Sequence, residues 1–121
     1  MMNLRTRIGG ALVVGTVLAL GLGVSRADAQ EPDGAALYKQ HCRSCHGAQG
    51  VPTQRMVSLY PKLRSLADSA FLASLSIDSI AAVTRTGVGD MKAFADKLSA
   101  AEIVAVTRFV KTLADSTAWR P

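Results

Sequence analysis

Ten consecutive residues, "HCRSCHGAQG" from His41 to Gly50, hold both cysteines and both histidines of the chain. Zinc sites, redox dithiols and haem attachment sites all use such groups. A disulfide between residues three apart closes a tiny loop and constrains little of the unfolded chain, so Cys42 and Cys45 read as chemistry rather than as a staple. Zinc sites usually draw their ligands from two separated segments, and this chain has no second Cys/His pair. A thioredoxin-like dithiol needs a βαβ context. The sequence has no convincing strand.

The third chemistry has a spacing of its own. Cys42-Arg43-Ser44-Cys45-His46 is C-x-x-C-H, the attachment pattern of a c-type haem. Two thiols must reach the two vinyl groups on one porphyrin edge and form thioethers. The adjacent imidazole must swing under the ring to the iron. One helical turn sets these directions, and Gly47 lets the chain leave without a side chain against the ring. One covalent haem c, held through Cys42 and Cys45 with His46 on the iron, is therefore expected. Zinc on Cys42, Cys45 and one or both of His41 and His46 is the first competing reading, and a redox dithiol is the second.

The N-terminus reads as a separate segment. Arg5 and Arg7 precede an uncharged, mostly apolar run from Ile8 to Val24, followed by "SRADAQ" with Ala27 and Ala29 at A-x-A positions. This order predicts a secretory signal over residues 1–29, with an uncleaved membrane anchor as the other reading. Of the 121 residues, about 92 then remain, at 30–121, as one small domain with a small core. Chains this short often depend on a disulfide, metal or cofactor. The formal charge of +5 overstates the basicity. Removing Arg5, Arg7, Arg26 and Asp28 leaves 11 basic and 8 acidic side chains, or +3, which is not the basic stripe of a nucleic-acid binder.

The mature chain predicts an all-α fold. "DGAALYKQHC" reads as a first helix with Asp33 as N-cap. Gly47 to Tyr60 reads as irregular, broken by Gly47, Gly50 and Pro52. A short helix is predicted over Asp68–Leu75. Ser76 caps another through "IDSIAAVTRT", with Gly87 as its stop, and "GVGDMKAF" is a loop. "SAAE", Ser99 to Glu102, is a capping box. Behind it Ile103, Val106, Val110 and Leu113 recur at helical spacing, with Phe109 beside them.

Electron-transfer haems take histidine or methionine as the sixth ligand. His41 lies on the same turn as the attachment site and is poorly placed to reach the opposite face. Outside the signal only Met56 and Met91 remain. Met91, in a glycine-bearing loop between two helices, is the favoured candidate over Met56.

"GAALYKQHCRSCHGAQG", "PKL", "GVGDMKAF" and "LSAAEIVAVTRFVKTL" together resemble the class I cytochromes c of the small bacterial kind, over nearly all of the mature chain. The resemblance implies a compact helical bundle around one covalently bound haem, with His46 and Met91 as axial ligands. It implies that Gly34 lets the last helix cross the first closely, against Tyr38 and Phe109, and that the Pro61 carbonyl accepts a hydrogen bond from the His46 imidazole. Two positions depart from the family's usual pattern. Lys92 follows the methionine where proline is common, and Tyr60 precedes Pro61 where glycine is common. Arg55 and Arg64 are either propionate partners or solvated surface charges. Trp119, beyond the last helix, has no assigned role.

The expected function is a periplasmic monohaem electron carrier rather than an enzyme, because no nucleophilic or proton-transfer constellation is visible. Its partners would be redox proteins (a dehydrogenase, reductase or oxidase) with an acidic docking patch facing Arg43 and Lys92. No nucleic acid, and no membrane span after signal cleavage, is expected. The competing roles are an electron-accepting subunit of a dehydrogenase complex and, further off, a gas-binding sensor.

Overall fold

Asp33 starts the first helix by taking over two backbone donors that the helix cannot satisfy itself. Its Oδ1 accepts from Ala35 N at 3.0 Å and Ala36 N at 3.1 Å. The computed structural model describes residues 30–114. The expected signal, 1–29, and Trp119 lie outside the described residues. Helix α1 spans Gly34–His41, one residue shorter than the predicted helix. Cys42 is a junction with φ −113°, and the chain resumes as a single turn, α2, over Arg43–His46. Gly47, at φ 79°, ends it.

The segment from Gly47 to Tyr60, expected to be irregular, contains a helix. Helix α3 spans Gln54–Leu59, and the Thr53 hydroxyl accepts from Met56 N at 3.3 Å. The three breakers all precede Thr53, so they end the loop and leave the following residues free to wind. Helix α4 spans Ser69–Ala73 behind an Asp68 cap, shorter than predicted. Helix α5 spans Ile77–Thr86 between Ser76 and Gly87, and α6 spans Ala100–Leu113. Both ends of α5 fall where predicted. So does the capping box of α6: Glu102 N reaches Ser99 Oγ at 3.2 Å, and Ser99 N reaches Glu102 Oε2 at 2.8 Å. Among the described residues there is no sheet, only an isolated antiparallel bridge between Val88 and Met91. None of the described helices is long and apolar enough to cross a membrane.

Helix α6 is the hub, packed against both α1 and α5. Its buried face supplies Ile103, Val106, Val110 and Leu113 to a core completed by Tyr38, Leu72, Ala81 and Leu98. The α1–α6 crossing is close enough that a Cβ on Gly34 would lie 2.2 Å from the Ala105 carbonyl oxygen. One helical turn on, the Tyr38 ring meets Phe109 with centroids 5.3 Å apart and planes at 52°, a tilted pair of the favourable kind. Helix α6 also holds α4: Lys111 Nζ donates to the carbonyls of Leu72 at 2.6 Å and Leu75 at 3.0 Å.

A methyl group at Gly34 must push backbone, not a movable side chain. Gly34→Ala gains at most about 1 kcal/mol of helix propensity, while forced separation of packed elements costs about 1–3 kcal/mol. The haem-loaded variant should therefore unfold at lower urea concentration than the parent, with an unchanged slope. A higher midpoint would mean that the crossing is looser than 2.2 Å implies.

Candidate cofactor-attachment site

Helix α1 delivers the attachment turn as its own continuation. Cys42 N bonds to Tyr38 O at 2.9 Å, His46 N to Cys42 O at 3.0 Å and Gly47 N to Arg43 O at 2.9 Å. Cys42, Cys45 and His46 thus sit on one continuous, slightly broken helical path. Both thiols are free, Cys42 partly buried and Cys45 exposed. Gly47 must leave the turn at positive φ, and a Cβ there would lie 1.9 Å from the Val51 carbonyl oxygen. No side chain but hydrogen fits. The sequence reading gave Gly47 the task of clearing the ring. The structure adds a second task, the tight return of the chain onto Val51.

Electrostatics and geometry bear on the competing chemistries. Burial, and secondarily the Cys45 charge, push the Cys42 thiol up to about 11. Cysteines activated for redox exchange are the reverse, with thiols lowered toward neutrality. Among the described residues no three His, Cys, Asp or Glu side chains gather as a metal cluster. Burial lowers the His46 pKa, so its imidazole stays neutral, which is the form that ligates iron. His46 Nδ1 is buried without a hydrogen-bond partner. The expected bond to the Pro61 carbonyl is thus not made in this structure. Pro61 lies on the exposed stretch just after α3.

Met91 lies on a four-residue turn. Val88 N donates to Met91 O at 3.1 Å, and Met91 N to Val88 O at 2.9 Å. Gly87 and Gly89 have positive φ. A Cβ on Gly87 would lie 2.5 Å from the Met91 carbonyl oxygen, so the turn is folded tightly back on itself. Beyond it, Phe94 N and Ala95 N bond to the carbonyls of Thr84 and Arg85 at 3.0 and 3.3 Å, which ties the loop to the end of α5. Met56, the other candidate, is a partly buried residue inside α3. Arg64 pairs with Asp68 at 3.3 Å and lies 4.6 Å from the Phe71 ring centroid, while Arg55 is exposed.

The donor set fits a haem. Two free thiols and a neutral imidazole share one turn, with a buried ring nitrogen still lacking its partner. Leu59, Tyr60 and Val88 are exposed apolar side chains on the segments that carry Pro61 and Met91, available to a flat apolar ring. Sequence reasoning missed two contacts here. The Tyr38 hydroxyl donates to Gly47 O at 2.7 Å, locking the residue after His46 onto α1. Phe94 fastens the methionine loop. Neither contact leaves a mark in spacing or periodicity.

A family model described as cytochrome c oxidase, cbb3-type, subunit III matches residues 29–110, most of the chain. The chain belongs to the cytochrome c family. It is 31% identical over 113 residues to the chloroplast cytochrome c6 of Chlamydomonas reinhardtii, across 91% of this chain and 73% of that protein. Among solved structures it is similar to the c-type cytochrome KustC0563, with 34% identity and a TM-score of 0.62, covering 68% of this chain and 98% of that one. A mutant of that protein aligns with 32% identity and a TM-score of 0.61. The cytochrome carries one covalently bound haem c, consistent with Cys42 and Cys45 in the C-x-x-C-H turn, and the all-α expectation holds.

Protein matured with a haem-attachment system should keep its colour through denaturation and acid–acetone extraction. The double variant Cys42→Ser, Cys45→Ser should lose it to the solvent phase. Extractable haem in the parent would refute thioether attachment at this turn.

Proposed function

We propose that this cytochrome is an exported, non-enzymatic carrier of single electrons whose iron is held by His46 and Met91. The haem supplies a one-electron ferrous/ferric couple. His46 offers a neutral ring nitrogen to the iron, and its unpaired Nδ1 is suited to the Pro61 carbonyl, a bond that fixes the ring and raises its basicity. The observation that carries the ligand choice is the turn at Val88–Met91. It is closed by two backbone bonds and fastened to α5, so it can aim a thioether without depending on helix register. Leader residues 1–29, with the A-x-A site, support delivery to the periplasm.

The methionine assignment is open to direct test. Sulfur on ferric low-spin haem gives a weak near-infrared charge-transfer band. Met91→Ala should abolish it, lower the reduction potential and open the ferrous iron to carbon monoxide, while Met56→Ala should do none of these. The reverse result would move the ligand to α3. Carbon monoxide binding by the parent would favour a gas sensor.

The partner is a redox protein. Arg43 lies between the two cysteines and Lys92 follows Met91, and both are exposed. Cations placed around the attachment turn and the methionine loop would steer a partner with an acidic patch, raising the encounter rate more than the affinity. Electron exchange with such a partner should slow as salt shortens the Debye length below about 10 Å. Lys92→Glu should slow it at low salt with no change in the visible spectrum. Indifference to both would place docking elsewhere.

A second reading rests on the family match, whose description names an oxidase subunit. In it the cytochrome works bound to a larger redox complex, a dehydrogenase or an oxidase. Co-elution with a large enzyme from native extract, rather than migration as a small protein, would favour that role.

A further inference from the structure

The attachment turn and the methionine loop are far apart along the chain, yet a ring contact joins the residue before Cys42 to one just past Met91. The His41 ring meets the Phe94 ring edge-on, with centroids 6.0 Å apart and planes at 73°. His41 is the last residue of α1 and directly precedes Cys42. Phe94 lies three residues after Met91, packs against the core cluster and bonds through its N–H to Thr84 O. Its carbonyl accepts from Lys97 and Leu98 N–H, both at 2.9 Å, so its backbone is fixed on both sides. Lys97 Nζ sits 5.7 Å from the centroid of the same ring.

We propose that His41 is a positioning residue: its ring braces Phe94 and thereby holds the methionine loop against the attachment turn. The inference rests on Met91 being the iron's sixth ligand. A methionine ligand is held weakly, so its bound fraction depends on how little the loop gains by moving away. The loop is already tied to α5, but α5 carries none of the attachment residues. The His41–Phe94 contact is a tie that runs to the residue preceding Cys42. Edge-to-face pairs of this type shift an equilibrium by roughly two- to tenfold. That is enough to change how readily an outside ligand displaces a thioether, and too little to unfold the domain.

The experiment uses the haem-loaded cytochrome and exogenous imidazole, which competes with methionine on ferric iron. Both are followed by the near-infrared band at one fixed pH and salt concentration. His41→Ala should raise the apparent affinity for imidazole roughly two- to tenfold, with the band intact before imidazole is added. His41→Phe, which restores an aromatic edge, should return the affinity to the parental value. His41→Gln, polar without a ring, should behave like the alanine variant. If His41→Ala binds imidazole as the parent does, or His41→Phe fails to restore the parental value, the brace is refuted. Thermal midpoints measured alongside guard against a general loosening: a fall shared equally by all three variants, with affinities moving in parallel, also overturns it. If the parent lacks the band, the Met91 assignment fails first and the brace with it. A parental band with an unresponsive His41→Ala overturns the brace alone.

Discussion

Everything at the cofactor end of this molecule hangs from the crossing of α1 and α6. The backbone of Gly34 rests against the carbonyl of Ala105 with no room for a side chain. That approach brings Tyr38 onto Phe109 and lets its ring sink to 2% exposure. With the ring fixed, the hydroxyl donates to the Gly47 carbonyl at 2.7 Å. Burial, with a smaller contribution from Cys42, drives the Tyr38 pKa up to about 12, so the phenol remains a donor at any ordinary pH. A steric fact at the start of α1 is thereby transmitted through one aromatic side chain to the residue following the proposed iron ligand.

The methionine side is organised differently. There the chain has no long helix to lean on and relies on backbone bonds, two within the turn and two onto the end of α5. Such bonds fix where the loop begins and ends. They say less about the methionine itself, whose neighbour Lys92 lacks the rigidity that proline would impose. The two halves of the site therefore differ in stiffness, with the histidine side built into the helical bundle and the methionine side suspended from it.

Much of this was legible in the sequence because the relevant signals are local. Ser76, Gly87, Ser99 and Glu102 do their work within four residues of where they stand, so caps and stops could be placed without knowing the fold. Gly34, Tyr38 and Phe109 were placed by resemblance, and the close crossing follows that expectation. Helix α3 was hidden because Gly47, Gly50 and Pro52 dominate their surroundings, while the only positive signal, Thr53, is a single hydroxyl. The Tyr38–Gly47 bond, the Phe94 anchor and the His41–Phe94 contact were illegible for another reason. Each depends on how far apart two elements come to rest, which no spacing along the chain encodes. The partner of His46 Nδ1 is a similar case. The family resemblance implied the carbonyl of Pro61, but side-chain geometry decides whether the bond forms.

Lys111 shows what a single cation can do for a distant segment. Helix α4 is five residues long, too short to stand by itself in water, and its C-terminal region presents carbonyls that need donors. Two of them, on Leu72 and Leu75, accept from a side chain 39 and 36 positions downstream, Leu72 O in addition to its bond from Leu75 N. Helix α4 therefore borrows part of its finish from α6, beyond the bond that Ser74 N makes to Ala70 O at 3.3 Å. A chain cut short before Lys111 would thus lose more than its final turn: the carbonyls of Leu72 and Leu75 would lose the ammonium that ties them to α6.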